Sequence, residues 1–166
     1  IKQAAAFGLT QAGQNLAGLL LMISDVHGLG LQAAQGLYLT ETFYWDRDDQ
    51  SRDFGNRYKE RTGAMPTMVQ AGTYSAVLSY LKAIEAAGSD DAAKVSEQLK
   101  GMTINDAFAR NATVAPNGRL MNDVFLMQVK TPEESKGEWD YYNVRATIPG
   151  AEAYMKPAEA GCPLVT

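Results

Sequence analysis

The chain has 166 residues, of which 46% are hydrophobic and 20% charged, a composition typical of a globular domain with an apolar core. Its net charge of −4 argues against binding of nucleic acid, which proteins hold through clusters of Lys and Arg. The apolar run at residues 16–23 is far shorter than the roughly 20 residues that cross a bilayer. The sequence therefore predicts a globular domain whose partner is not nucleic acid.

The first part of the chain is predicted to combine short helices with two strands. Residues 1–7 are typical of the end of a helix, and the apolar run at 16–23 indicates a strand covered on both faces, as in a parallel sheet. Residues 24–30 are polar and carry glycine, which predicts a loop at the carboxyl end of that strand, where ligands bind in open α/β sheets. A helical segment at 31–35 and a second strand at 36–44 follow.

Three helices in succession are predicted for the middle of the chain. The first, at 48–61, places Phe54 and Tyr58 four residues apart with charges elsewhere, which is typical of an amphipathic helix. The central helix is predicted at 65–88, and Asp90 or Ser89 is expected to cap a third helix at 91–102.

The central helix is apolar around most of its circumference. Its polar residues are confined to one stripe, formed by Ser75, Ser79, Lys82 and Glu85. Such a pattern predicts a helix sandwiched between two layers of structure. Pro66 is expected in the first turn, because the N–H group that proline lacks has no partner there.

The last third of the chain is predicted to consist mainly of strands. Residues 108–114 and 119–129 flank an Ala-Pro-Asn-Gly turn at 115–118, which predicts a hairpin. Residues 139–148 alternate aromatic or branched side chains with polar ones and predict a further strand, followed by one helical turn around 151–155. The whole pattern indicates the α/β class.

No catalytic constellation is recognisable in the sequence, and no cofactor or metal is expected. A Gly-x-Gly-x-x-Ala motif at 28–33 is similar to a dinucleotide-binding fingerprint, but the helix that must follow it is missing. Asp25 and His27 have no third metal ligand at a recognisable spacing. A nucleophile–base pair of Cys162 and His27 has no orienting motif. The sequence therefore favours binding without chemistry.

Two short segments carry the side chains expected in a small-molecule pocket. Ser24, Asp25 and His27 lie in the predicted loop, and Gln70 and Tyr74 lie at the start of the central helix. The free N–H groups of a helix N-terminus also suit a small acidic ligand. The alternative interpretation of this helix is a core element with a polar beginning.

The same two segments resemble a known family. The stretches LLLMISDVHGLGLQAAQGLYLTETFYW and PTMVQAGTYSAVLSYLKAIEAAG, with NGR, QVK, SKGEWDYYNV, TIP and GCPLV near the end, are similar to type I periplasmic solute-binding proteins of ABC importers. The similarity is to the branched-chain amino acid-binding (Leu/Ile/Val) group and its relatives that bind aromatic acids. It extends over essentially the whole chain, but over only the C-terminal half or so of a family member.

The resemblance implies a fold of two Rossmann-like α/β lobes that close on a solute. Residues 1–39 would belong to the C-terminal lobe, residues 40–119 with their three helices to the N-terminal lobe, and residues 120–166 again to the C-terminal lobe. It further implies a periplasmic protein, not an enzyme, whose partners are a small-molecule solute, the N-terminal remainder of the same protein and an ABC permease at the inner membrane.

The resemblance also implies a set of ligand-binding residues. They are Ser24, Asp25 and His27 in the loop, and Val69, Gln70 and Tyr74 at the helix start. Asp25 is the nearest equivalent of the acid that holds the ammonium group of an amino acid in the Leu/Ile/Val-binding group. The ligand is expected to be a branched-chain or other amino acid, or an aromatic carboxylate without an amine.

Two alternatives remain open from the sequence. A ligand-sensing domain of a receptor or regulator has the same fold, and an enzyme would have to use Asp25 with His27. The start at Ile1, without Met or a signal sequence, predicts a piece of a longer protein. Cys162, the only cysteine, then either pairs with a cysteine upstream of Ile1 or is a buried free thiol.

Overall fold

The computed structural model describes residues 1–10, 12–156, 159 and 161, and these form two compact units. The first unit consists of Ile1–Met68 and Phe125–Thr147, and the second of Val69–Val124 with the described residues from Ile148 onward. The lobe boundaries expected after residues 39 and 119 stay a prediction. Cys162 lies outside the described residues.

Helices and strands of the described residues confirm the α/β class. The helices are α1 (Lys2–Ala6), α2 (Ile23–Leu29), α3 (Leu31–Ala34), α4 (Asp49–Thr62), α5 (Met68–Ala87), α6 (Ala92–Gly101) and α7 (Gly150–Ala153). The strands are β1 (Ala17–Gly18), β2 (Tyr38–Glu41), β3 (Thr103–Ile104), β4 (Ala112–Val114), β5 (Leu120–Met121), β6 (Val124–Val129) and β7 (Tyr142–Ile148).

A mixed sheet in the order β1-β2-β6-β7 forms the framework of the first unit. β1 runs parallel to β2, and β2 pairs antiparallel with β6, so that Tyr38 lies opposite Gln128 and Glu41 opposite Phe125. Along β6, buried side chains alternate with partly exposed ones, as expected for a strand with one face on the core. The core against this sheet includes Leu21, Ile23, Val26, Ala34, Leu37, Leu39, Met127, Val129, Trp139 and Tyr142.

The long strand predicted at residues 16–23 is wrong. β1 contains only Ala17 and Gly18, and the next two side chains, Leu19 and Leu20, are 98% and 75% exposed. The chain becomes helical at Ile23 because Met22 is extended and its N–H donates to the Asp25 carboxylate at 2.8 Å, which caps the first turn. The predicted loop at 24–30 is therefore mostly the helix α2.

Helix α4 follows its sequence signals closely. The Asp48 side chain accepts a hydrogen bond from the N–H group of Ser51 at 2.8 Å, and Gly63 ends the helix in the left-handed conformation with φ 81°. Arg57 and Asp53, four residues apart, form an ion pair at 3.0 Å. The predicted helix at 48–61 is confirmed with a shift of one residue.

Helix α5 of the second unit buries a different face from the one that its composition suggests. Its buried residues are Ala71, Ser75, Ser79 and Ala83, so two serines of the predicted polar stripe point inward. Among its large apolar side chains, the exposed ones are Val69, Tyr74, Val77, Tyr80 and Leu81. Within the described residues one side of α5 is thus uncovered, and the sandwiching between two layers stays a prediction. The helix also begins at Met68, so Pro66 precedes the first turn instead of lying in it.

Small side chains and one buried carboxylate explain this choice of face. Ser75 Oγ donates to Asp106 Oδ2 at 2.6 Å, and the N–H groups of Phe108 and Ala109 donate to Asp106 Oδ1 at 2.8 and 2.9 Å. The Phe108 ring comes so close to the helix that a Cβ atom at Gly72 would lie 3.6 Å from it. At this point of the helix, a buried hydrogen bond between Ser75 and Asp106 takes the place of packing between apolar side chains.

A second sheet, in the order β3-β4-β5, confirms the predicted hairpin. β4 and β5 pair antiparallel around the turn at 115–118, where Gly118 has φ 82° and its N–H donates to the carbonyl of Ala115. The single strand predicted at 119–129 is wrong, because the chain breaks between β5 and β6 and these two strands belong to different sheets. The helical turn predicted around 151–155 is confirmed as α7.

Replacement of Gly150 by alanine is expected to destabilise the second unit. A Cβ atom at this position would lie 2.8 Å from the carbonyl carbon of Met121 and 2.9 Å from the carbonyl oxygen of Asn122, both backbone atoms that cannot rotate away. We expect Gly150→Ala to lower the free energy of unfolding by about 1–3 kcal/mol in urea titrations. Gly101→Ala, where nothing lies within 4 Å, is the control. Equal midpoints for the two variants would contradict the expected clash.

Candidate functional site

The first three predicted ligand-binding residues are brought together on α2. Ser24, Asp25 and His27 are all exposed, and they lie within the first five residues of this seven-residue helix. The carboxylate of Asp25 accepts the N–H group of Met22, so part of its hydrogen-bonding capacity already maintains the helix start. The trio thus presents a hydroxyl, a carboxylate and an imidazole from one short helix.

His27 is fixed by two aromatic side chains that the sequence analysis assigned to a strand. Its Nδ1 lies 2.8 Å from Tyr141 Oη, and its ring is stacked on that of Trp139 with 4.0 Å between ring centroids and 6° between ring planes. Trp139 and Tyr141 precede β7, which starts three residues later than the predicted strand at 139–148. The Nδ1 atom of His27 thus contacts Tyr141, whereas the carboxylate of Asp25 accepts the N–H group of Met22.

The aromatic support beneath His27 is firmly held. Trp139 is 3% exposed, and its backbone has a φ of 70°, which residues other than glycine adopt rarely. The indole N–H of Trp45 donates to the carbonyl oxygen of Trp139 at 2.8 Å, and the neighbouring Glu138 forms an ion pair with Lys59 at 2.9 Å. These contacts determine where the imidazole lies.

Glu41 is a buried carboxyl group behind α2 that the sequence analysis missed. It is 2% exposed, and Tyr142 Oη donates to its Oε1 at 3.2 Å. Burial raises the pKa of Glu41 to about 8, more than the Tyr142 hydroxyl and the backbone N–H groups of Ile23 and Met68 lower it, and the charge of Asp25 adds to the rise.

Two tyrosines near Glu41 are kept protonated. Burial, and secondly the charge of Glu41, raise the pKa of Tyr142, while burial and the charge of Asp140 raise the pKa of Tyr44. Asp140 itself accepts hydrogen bonds from Lys130 Nζ at 2.5 Å and from the N–H group of Lys136 at 2.8 Å. The tyrosine hydroxyls therefore remain hydrogen-bond donors at neutral pH.

The other three predicted residues lie at the start of α5, in the second unit. Val69, Gln70 and Tyr74 are exposed, Tyr74 by 42%, on the first two turns of the helix. Thr73 Oγ1 donates to the carbonyl oxygen of Val69 at 2.8 Å and so reinforces the first turn. The sequence analysis placed these residues correctly on a helix start.

Neither a metal-binding cluster nor a membrane-spanning helix occurs in the described part of the chain. No group of three His, Cys, Asp or Glu side chains there is arranged to hold a metal ion. No helix among the same residues combines the length and the apolar character needed to span a bilayer.

Comparison with known proteins places this geometry in a family. A family model described as periplasmic binding protein matches residues 1–138. A periplasmic binding protein from Burkholderia mallei is 48% identical, with a TM-score of 0.91, over 98% of this chain and 43% of that one. A branched-chain amino acid ABC transporter periplasmic ligand-binding protein from Burkholderia xenovorans is 44% identical, with a TM-score of 0.91, over 98% of this chain and 44% of that one.

A more distant structure shares the fold alone. It is the solute-binding protein of an ABC transporter from Rhodopseudomonas palustris in complex with 3,4-dihydroxybenzoic acid, 20% identical, with a TM-score of 0.74, over 90% of this chain and 40% of that one. The chain spans less than half the length of these structures. No match was found among curated proteins.

These findings define the α/β fold of type I periplasmic binding proteins, as the resemblance in the sequence implied. The chain belongs to the periplasmic binding protein family.

Proposed function

We propose that the protein is a periplasmic solute-binding component of an ABC importer. It takes up a small molecule, either a branched-chain or other amino acid or an aromatic carboxylate, and delivers it to a permease at the inner membrane without chemical change. The observation that carries this proposal is the 44% identity, over 98% of the chain, to a branched-chain amino acid ABC transporter ligand-binding protein. Solute binding favours a closed form, which the permease recognises. The lobe assignment of residues 1–39, 40–119 and 120–166 is part of the same proposal.

The proposed ligand contacts are the six residues on α2 and α5. Ser24, Asp25 and His27 offer hydrogen bonds and one negative charge from an exposed position on α2. Val69, Gln70 and Tyr74 offer an apolar and aromatic surface with one amide. An amino acid ligand would place its ammonium group on Asp25, because a charged hydrogen bond is stronger than a neutral one. An aromatic acid would rely on Tyr74 and on the donors of the other side chains.

Calorimetry of the purified protein with L-leucine and with 3,4-dihydroxybenzoic acid tests the proposed function. We expect saturable 1:1 binding of one of them, and the identity of that ligand decides between an amine-bearing and an amine-free class. D-Glucose, which is neither an amino acid nor an acid, is the control. Absence of heat for both acids would reject the two ligand classes proposed.

Asp25→Ala and Tyr74→Ala are each expected to weaken binding at least tenfold in the full-length protein, because a lost charged hydrogen bond or a lost buried aromatic contact is worth ~1.5–3 kcal/mol. Asp25→Asn separates charge from helix capping, since an amide oxygen still accepts the Met22 N–H group. For an amino acid ligand, it should weaken binding as much as Asp25→Ala. Asp90→Asn, an exposed change elsewhere, is the control. Wild-type affinity in both alanine variants would remove these residues from the site.

A further inference from the structure

His27 uses only one of its two ring nitrogens in contacts with the rest of the first unit. Its Nδ1 lies 2.8 Å from Tyr141 Oη, whereas Nε2 has no hydrogen bond among the described residues. One face of the imidazole is stacked on Trp139, with 4.0 Å between the ring centroids, and His27 as a whole is exposed. Nε2 is therefore the ring nitrogen that a ligand can contact.

Tyr141, the partner of Nδ1, is held in place by its backbone. The N–H group of Lys130 donates to the carbonyl oxygen of Tyr141 at 2.8 Å. The carbonyl oxygen of Trp139, two residues earlier, accepts the indole N–H of Trp45 at 2.8 Å. Tyr141 is 8% exposed, and its hydroxyl contacts His27 alone among the described side chains. Within this part of the chain, the hydroxyl proton thus has one acceptor, which is Nδ1 of His27.

This hydrogen bond determines which nitrogen of the imidazole carries the proton. A neutral imidazole has one N–H donor and one acceptor nitrogen, and the hydrogen bond made by one nitrogen fixes the state of the other. We propose that Tyr141 is a positioning residue whose hydroxyl donates to Nδ1 of His27, so that Nε2 carries the proton and donates to a carboxylate oxygen of the ligand. This inference rests on the proposed function and names the ligand group that His27 contacts. An ammonium group, which only donates, has no acceptor on this form of the imidazole.

Ser24 offers a second donor on the same side of α2. It lies three residues before His27, and residues three apart are neighbours on the surface of a helix. Its hydroxyl has no hydrogen bond among the described residues, so it can donate to a ligand. Asp25 lies two residues before His27, a spacing at which side chains do not face each other. Two donors on one side of the helix suit the two oxygens of a carboxylate, a group that L-leucine and 3,4-dihydroxybenzoic acid share.

Nitrogen NMR of the ligand-free, full-length protein labelled with nitrogen-15 histidine tests the position of the proton. His27 is the single histidine of these 166 residues, and its signals are identified by their loss in His27→Gln. At about pH 8.5, where histidine is ordinarily neutral, we expect a protonated Nε2 and an unprotonated Nδ1. Tyr141→Phe should move both nitrogen shifts towards the averaged values of a mixture of the two forms. Tyr58→Phe, which removes a hydroxyl from α4 of the same unit, is the control.

Calorimetry provides the second measurement, with whichever of L-leucine and 3,4-dihydroxybenzoic acid binds. His27→Glu is expected to weaken binding at least tenfold, because it replaces a donor by a negative charge opposite the ligand carboxylate. His27→Gln retains an N–H donor and should lose less affinity than His27→Glu. Gln32→Glu adds a negative charge at an exposed position of the neighbouring helix α3, and it is the control for repulsion at longer range.

Two results would overturn the proposal. One is a protonated Nδ1 in the wild type, or the same ratio of the two forms in wild type and Tyr141→Phe. The other is equal or tighter binding by His27→Glu, since a ligand ammonium group would gain from the new carboxylate. If Tyr141→Phe does not fold, the wild-type spectrum and the His27 variants still decide. Binding of neither acid contradicts the proposed function, whereas the NMR spectra decide on Tyr141 alone.

Discussion

Between pH 5 and pH 9 the free energy of unfolding is expected to fall by on the order of 4 kcal/mol through Glu41 alone, and Glu41→Gln is expected to abolish that contribution. The reason is that burial raises the pKa of this carboxyl group from 4.5 to about 8 in the folded chain. Each unit of pKa difference between the folded and unfolded states corresponds to about 1.4 kcal/mol.

The direction follows from which state binds more protons. Below pH 4.5 both states carry the proton, and the full stability is present. Between pH 4.5 and about 8 the unfolded chain loses the proton of Glu41 while the folded chain retains it, so stability decreases as the pH rises. Above about pH 8 both states are ionised, and no further loss arises from this group.

Urea titrations of wild type and Glu41→Gln at pH 5, 7 and 9 measure the effect. The two proteins should have similar stability at pH 5, and the variant should be the more stable at pH 9. Glu97→Gln, the exposed control, should follow the wild-type curve at all three values. Parallel pH curves for wild type and Glu41→Gln would mean that the folded chain holds Glu41 ionised at neutral pH.

Asp106→Ala is expected to lower the free energy of unfolding of the second unit by about 4 kcal/mol, because three donors in a buried region lose their acceptor at once. They are Ser75 Oγ at 2.6 Å and the N–H groups of Phe108 and Ala109 at 2.8 and 2.9 Å. The Asp106 side chain is 8% exposed, so water has little access to replace it.

Two further variants divide this effect among the contacts. Asp106→Asn keeps an oxygen for the two backbone N–H groups, and it should therefore cost less than half as much as Asp106→Ala. Ser75→Ala removes only the hydroxyl, and a double-mutant cycle with Asp106→Ala should reveal a coupling between the two side chains. Strict additivity in urea titrations would show that the serine does not depend on the aspartate for stability.

Local signals in the sequence sufficed for much of the helical structure. Helix α4 begins where Asp48 accepts the N–H group of the residue three positions later, a contact within one turn of chain. Helix α6 lies close to its predicted place, but its cap is Asp91, which accepts the N–H group of Lys94, and not Asp90 or Ser89. The hairpin of β4 and β5 was equally predictable, because its turn sequence determines its geometry locally.

Other features depended on residues far away along the chain. Composition suggested that α5 would bury its large apolar side chains, but the buried face is selected by Asp106, which follows Ser75 by 31 residues. The run at 16–23 looked like a strand, since apolar content does not indicate how many strands will flank it. A strand at the edge of its sheet left Leu19 and Leu20 exposed.

The candidate site was predictable in part. The exposed trio on α2 and the residues that begin α5 came from a polar segment and from the family resemblance, although α2 was taken for a loop. The contact of His27 with Trp139 joins residues that are 112 positions apart, so no local sequence pattern predicts it. Glu41 left one usable signal, because it shares the inward alternation of Leu37 and Leu39 along β2.

Because its ring stacks on that of His27, Trp139 can serve as an intrinsic fluorescence probe of α2. These 166 residues contain two tryptophans, and Trp45→Phe would leave Trp139 as the only one among them. Indole emission depends on the group stacked against it, and the imidazole that covers Trp139 at 4.0 Å belongs to α2. A displacement of this helix would therefore change the emission intensity or the emission maximum of Trp139. Movements of α2 could then be followed in real time without an attached dye.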